Sequence, residues 1–155
     1  MRQRAGIIVE PVGADLVALA QAHALDASTF PHPSLPPIYG GDAPPAIFVG
    51  RPERGGRVVG FAATRARLGA LEVIGLAVEP AHRRSGMGRA LLRAAVRSAK
   101  ARGLRRVTLH VSTALAGAIA LYESERFERH TLLRGFYSAR RFPNGGDAWL
   151  MVREI

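Results

Sequence analysis

The segment Val78-Glu79-Pro80-Ala81-His82-Arg83-Arg84-Ser85-Gly86-Met87-Gly88-Arg89 has the composition of an anion site. A strand-like run ends at Pro80, two glycines follow, and a helical pattern begins at once. Glycines let the backbone turn so that successive N–H groups point one way, and a helix start adds roughly half a positive charge at that spot. Phosphate is the ligand such a cradle suits. The loop Arg83 to Gly88, with Ser85 and Met87 inside it, would supply the amides, and Arg83, Arg84 and Arg89 can add charge-assisted contacts. The spacing is neither a Walker loop nor the dinucleotide fingerprint, because Lys-Ser/Thr and a third glycine are both missing. An ordinary strand-to-helix connection with solvated arginines would show the same glycines.

The elements around this loop must position it. Gly6 to Glu10 reads as a first strand and Ala14 to Ala24 as an amphipathic helix. Six prolines at 31, 33, 36, 37, 44 and 45 forbid a long helix between Phe30 and Pro45, which therefore reads as a loop. Ala46 to Arg51, Arg57 to Arg67 and Leu71 to Glu79 read as strands of an antiparallel meander, joined by turns at 52–56 and 68–70. After Pro80 the period changes. Met87 to Arg102 puts Leu91, Leu92, Ala95, Val96 and Ala99 on one face and Arg89, Arg93 and Arg97 on another, with Gly103 as a C-cap. Arg105 to Ser112 is a strand, Leu115 to Glu125 a helix, and two strands flank Asn144-Gly145-Gly146. Strand, helix, strand from Leu71 to Ser112 requires a parallel pair with a right-handed crossover. The expected fold is therefore an α/β mixed sheet of about seven strands, mostly antiparallel with a central parallel pair, and about four helices.

Composition bounds the function. A chain of 155 residues that is 48% hydrophobic can bury one core, so residues 1–155 read as a single domain. No apolar run reaches the roughly 18 residues a membrane span needs, and Met1-Arg2-Gln3-Arg4 is no signal peptide, so the expectation is a cytoplasmic protein with no membrane partner. Without cysteine there is no disulfide, thiolate metal site or Cys acyl-enzyme. The net charge of +10 comes from 22 basic against 12 acidic residues, and Lys100 is the only lysine. Such a field attracts polyanions, including a cofactor with several phosphates. The basic residues are scattered along the chain and the aromatic fraction is only 6%, which argues against a dedicated nucleic-acid module.

The run from Ala77 to Leu92 resembles the acetyl-coenzyme-A loop of the GNAT superfamily, Q/R-x-x-G-x-G/A after a strand ending in V-x-P. Arg83, Gly86 and Gly88 fall in register with it. Ala118-Ile119-Ala120-Leu121-Tyr122-Glu123-Ser124 resembles the later helix of that family. Within it the chain is similar to N-terminal protein acetyltransferases, above all the bacterial ribosomal-protein-alanine N-acetyltransferase type. Leu109-His110-Val111 resembles their L-H-V or L-E-V strand, and Arg134-Gly135-Phe136-Tyr137 with Gly146-Asp147-Ala148 and Met151 resembles their tail. The likeness covers residues 70 to 155.

What the resemblance implies is amide formation from the thioester of acetyl-coenzyme A, with no metal. An α-amine has a pKa of about 8, so a modest base suffices, whereas a lysine amine near 10.4 needs more help. Tyr122 matches a helix tyrosine placed near the coenzyme sulfur as general acid; the alternative is a ring packed on the sheet. His110 stands where this type carries Glu or His and can take the amine proton through water. Glu72 is the competing base, at the position many other GNAT enzymes use. Alternation puts Glu72, Ile74 and Leu76 on one face. Backbone N–H groups around Leu76, Ala77 and Val78, where the family carries a bulge, would meet the oxyanion and pair with the pantetheine arm. Tyr137 and Phe30 would line the acceptor.

Three positions depart from the family. Leu115 replaces an asparagine that contacts the pantetheine region, Arg126 replaces a glycine at a helix end, and Phe136 replaces a tyrosine. The implied acceptor is a protein or peptide N-terminus, or else a small amine, with the chain acting as a monomer or homodimer. A basic cleft disfavours cationic polyamines. A non-catalytic binder of coenzyme A or nucleic acid is the third reading.

Overall fold

The computed structural model describes residues 6–29, 46–137 and 146–155. Its strands are β1 (Ile8–Pro11), β2 (Ala46–Arg51), β3 (Gly60–Arg67), β4 (Ala70–Val78), β5 (Arg106–Ser112), β6 (Glu128–Tyr137) and β7 (Gly146–Glu154). Its helices are α1 (Leu16–Thr29), α2 (Met87–Ala101) and α3 (Ala116–Ser124), and a 3-10 turn covers Pro80–His82. Seven strands form one sheet in the order β1-β2-β3-β4-β5-β7-β6, antiparallel except for β4 and β5. Among the described residues, three α-helices and one 3-10 turn stand where about four helices were expected.

The sheet is covered on both faces. On one, Leu92, Ala95, Val96 and Ala99 of α2 pack with Val107, Leu109 and Val111 of β5, and Met87 and Leu91 pack with Phe48, Val59 and Ala62. On the other, Ala18, Ala22 and Leu25 of α1 lie against Ile47, Phe61 and Ala77. Alternation along β5 sends Val107, Leu109 and Val111 to the α2 face, so Thr108, His110 and Ser112 face the other way. No helix of the described residues is long and apolar enough to cross a membrane.

The parallel pairing is short. Ala70, Leu71, Glu72 and Val73 pair with Arg106, Val107, Thr108 and Leu109, and there the pairing stops. A register shift in β3–β4 sets in at the same place: Thr64 faces Val73 and Ala63 faces Gly75, leaving Ile74 as the extra residue. Such a bulge bends the strand and steers it away from a neighbour. It also changes which face each later side chain joins. Ile74 packs on the α1 side, whereas Leu76 and Val78 pack with Met87 and Leu91 on the α2 side. Leu76 therefore does not share a face with Glu72 and Ile74, as simple alternation expected, because the inserted residue shifts the period.

Candidate active site

Helix α2 begins at the mouth of the opening between β4 and β5. Gly86 is its N-cap at φ 88°, a left-handed conformation that glycine adopts without a Cβ penalty. No side chain caps the helix, and its first turn closes with the Ala90 N–H donating to the Gly86 carbonyl at 3.0 Å. The amides of Met87, Gly88 and Arg89 precede that bond, so they are the unpaired donors every helix start presents. A Cβ on Gly88 would lie 3.4 Å from Leu121 Cδ2 and 3.8 Å from Val78 Cγ2, which seats this turn between α3 and the end of β4. Arg84, at φ 59°, Ser85 and Arg83 are exposed around it. This is a cradle that suits phosphate oxygens.

The edge of β4 facing the opening offers backbone groups. Arg83 Nε donates to the Val78 carbonyl at 3.0 Å, so that carbonyl points away from β3. The Glu79 N–H donates to Val59 O at 2.7 Å on the opposite side. Alternation then aims the Leu76 and Val78 amides into the opening and pairs the Ala77 amide with β3. Of the three amides expected there, two face the opening and Ala77 does not.

Glu72 and His110 meet on the α1 side of the sheet. Glu72 Oε1 lies 3.9 Å from His110 Nδ1, and its other oxygen accepts from Arg65 Nη2 at 3.0 Å. The ring of Phe136 stacks on His110 with centroids 4.7 Å apart, and Tyr137 meets Phe136 edge-on at 5.0 Å. Burial lowers the His110 pKa below its usual 6.5, partly opposed by the Glu72 charge. The imidazole is thus neutral at pH 7 and able to accept a proton.

Tyr122 packs against the α2-side core and lies 6.2 Å from the Phe127 ring. Desolvation, with a smaller contribution from Tyr137, pushes its hydroxyl up to about 12. Burial also raises Tyr137. The hydroxyl of Tyr122 therefore keeps its proton throughout the neutral range.

Other expected positions fall as follows. Arg89 Nη1 is held by Glu125 Oε1 at 2.5 Å, so its charge is shared with a carboxylate instead of being reserved for phosphate. Leu115 is the N-cap of α3, 55% exposed and without a capping hydrogen bond. Arg126 adopts φ 68°, the left-handed conformation expected where a glycine is usual. Phe30 and the proline-rich stretch lie outside the described residues.

Two positioning residues were not anticipated. Arg65 faces Glu72 across the two-residue turn Leu68-Gly69, a cross-strand pairing readable from that turn alone. Asp147 accepts the Gly135 N–H at 2.8 Å where β6 shifts register between Leu133 and Tyr137, which fixes the segment carrying Phe136 and Tyr137. No spacing in the sequence signals that bond.

The sequence and the fold are similar to those of known acetyltransferases. Over 82 residues the chain is 38% identical to the ribosomal protein bS18-alanine N-acetyltransferase of Escherichia coli, an alignment covering 53% of this chain and 55% of that one. Over 89 residues it is 38% identical to a mycothiol acetyltransferase of Thermobispora bispora, covering 52% of this chain and 30% of the other. The chain thus spans about half, or less, of the length of these relatives. Among solved structures, the Escherichia coli ribosomal-protein-S18-alanine N-acetyltransferase superposes with a TM-score of 0.77 at 26% identity, covering 96% of this chain and 94% of the other. Arabidopsis thaliana NAA60 in complex with a bisubstrate analogue shares the fold at a TM-score of 0.78 and 20% identity, covering 96% and 99%. The profile of the Acetyltransferase (GNAT) family matches residues 16–126, most of the chain, and the chain belongs to that family.

Proposed function

We propose that the protein transfers an acetyl group from acetyl-coenzyme A to a primary amine, and that the amine is the N-terminal α-amine of a protein or peptide. The observation that carries this reading is the parting of β4 from β5 after Val73 and Leu109, with an uncapped helix start on one side and the His110–Glu72 pair on the other. The relatives named for alanine N-acetylation on a ribosomal protein support the choice of acceptor.

Acetyl-coenzyme A would supply the activated acyl group as a thioester. The loop Arg83 to Gly88 with the first turn of α2 would hold its phosphates, and the Leu76 and Val78 amides would donate to its carbonyl oxygens. His110 takes the proton of the attacking amine, directly or through water, since its lowered pKa keeps it neutral. Glu72, anchored by Arg65, orients the imidazole and balances its charge once protonated.

Tyr122 serves the departing sulfur. Full transfer from a phenol of pKa about 12 to a thiolate near 8.5 is uphill by roughly 5 kcal/mol. The hydroxyl therefore donates a hydrogen bond as the C–S bond lengthens, and complete protonation is concerted with cleavage or follows from water.

Incubation with acetyl-coenzyme A and a panel of peptides with different N-termini tests this. Thiol release that depends on the N-terminal residue is expected. Release with small amines only, or none above blank, overturns the peptide acceptor.

A further inference from the structure

Two grooves flank the outer face of α2. One, of about 360 Å³, lies beside the helix start between Ile7, Gly86 and Arg89. The other, of about 440 Å³, lies between the second half of α2, the end of α3 and β7, and is lined by Arg93, Arg97, Lys100, Glu125, Arg126 and Arg153. Arg93 and Arg97 border both, and the second groove is the more basic of the two. Cations far apart in sequence are thereby gathered from three elements. The lower groove lies towards the start of β5, where Arg153 pairs with Val107, whereas the strands part beyond Leu109.

Only part of the charge there is spent internally. Glu125 accepts from Arg93 and Arg89, but Arg97, Lys100 and Arg126 make no ion pair among the described residues and are exposed. Arg126 holds a left-handed backbone at φ 68°, a strain that glycine would avoid. We propose that the lower groove, lined by Arg97, Lys100, Arg126 and Arg153, binds the phosphate backbone of a double-stranded nucleic acid without reading its sequence. The lining itself selects that partner. Val96 is its one apolar residue, and it is buried, so a protein interface would find no apolar anchor. No aromatic ring is present on which unpaired bases could stack. Arg97 and Lys100, one helical turn apart on α2, with Arg126 beside them, match phosphate oxygens presented at intervals along a backbone.

The test is fluorescence anisotropy with labelled RNA and DNA duplexes of about 16 base pairs, read against salt concentration. Binding to at least one duplex is expected, with a Kd on the order of 10 µM at low salt and a log–log salt slope of about −3 from three free cations. R97E/K100E should weaken binding at least about tenfold and flatten the slope by about 2, while R67E, exposed at the end of β3, leaves both unchanged. Arg126→Gly separates binding from folding: it should raise the melting temperature and weaken duplex binding together. The proposal is overturned by absence of duplex binding at 50 mM salt, by affinity indifferent to both variants, by binding of polyglutamate or single strands alone, or by displacement of the duplex with coenzyme A.

Discussion

The imidazole of His110 and the ring of Phe136 lie face to face, with their planes 16° apart. This contact desolvates the imidazole on one side while Glu72 faces its Nδ1. In an active enzyme the base must be unprotonated. Because the His110 pKa is lowered, the acid limb of kcat/KM, once divided by the neutral fraction of the α-amine, which titrates at about 8, should have its midpoint below 6.5. Phe136→Leu should move that midpoint up towards the ordinary value, since the ring is rehydrated. His110→Gln should abolish the limb and cost at least about 100-fold in kcat/KM, with cofactor affinity retained. A profile unaltered by either substitution would remove His110 from the chemistry.

Tyr122→Phe keeps the ring packed on Phe127 and removes the donor. We expect kcat to fall by about 10- to 100-fold with little change in KM, as for a group that acts late in the reaction. With a hydroxyl at about 12, the wild-type rate should show no loss from this residue up to pH 10. Steady-state kinetics across pH decides both points.

Gly86→Val places a β-branched residue at φ 88°, where nothing but Ile7 Cδ1, at 3.8 Å, would touch the new Cβ. The obstacle is backbone conformation more than space. The turn must reshape, so the dissociation constant for coenzyme A should rise at least about tenfold, measured by calorimetry. Unchanged affinity would place the phosphates elsewhere.

Glu125 is only 6% exposed and accepts from Arg93 at 3.0 Å and from Arg89. Hydrogen bonding from Arg93, then from Arg89, holds its carboxyl below the usual range against the cost of burial. A carboxylate with a lowered native pKa stabilises the fold above its unfolded value, about 4.3, and that stabilisation fades as pH falls through the native value. Glu125→Gln should therefore destabilise the protein by about 2 kcal/mol at pH 7, and the difference from wild type should shrink below pH 4. Urea titrations at pH 7 and pH 3.5 measure this.

Much of the architecture follows from local pattern. Leu91, Leu92, Ala95, Val96 and Ala99, grouped by helical spacing, are all buried on α2. Alternation likewise predicts the buried side of β5, and Gly86 marks the helix start. The site was less legible where partners decide. The extra residue Ile74 depends on how β3 pairs with β4, so the side taken by Leu76 could not be read from β4 alone. Arg89 looked free for phosphate because its carboxylate lies 36 residues away. The stacking of Phe136 on His110 joins β6 to β5, which are not even neighbours in the sheet.

The short parallel seam has a mechanical consequence. Only four residue pairs join the backbone of β4 to that of β5, and this is the sole line along which β1 to β4 meet β5 to β7 within the described sheet. Helix α2 acts as a splint across it: Met87 and Leu91 grip one half, and Leu92, Val96 and Ala99 grip the other. Its free end is the cradle. The turn that presents its free amides to a ligand is thus part of the same element that braces the two halves together.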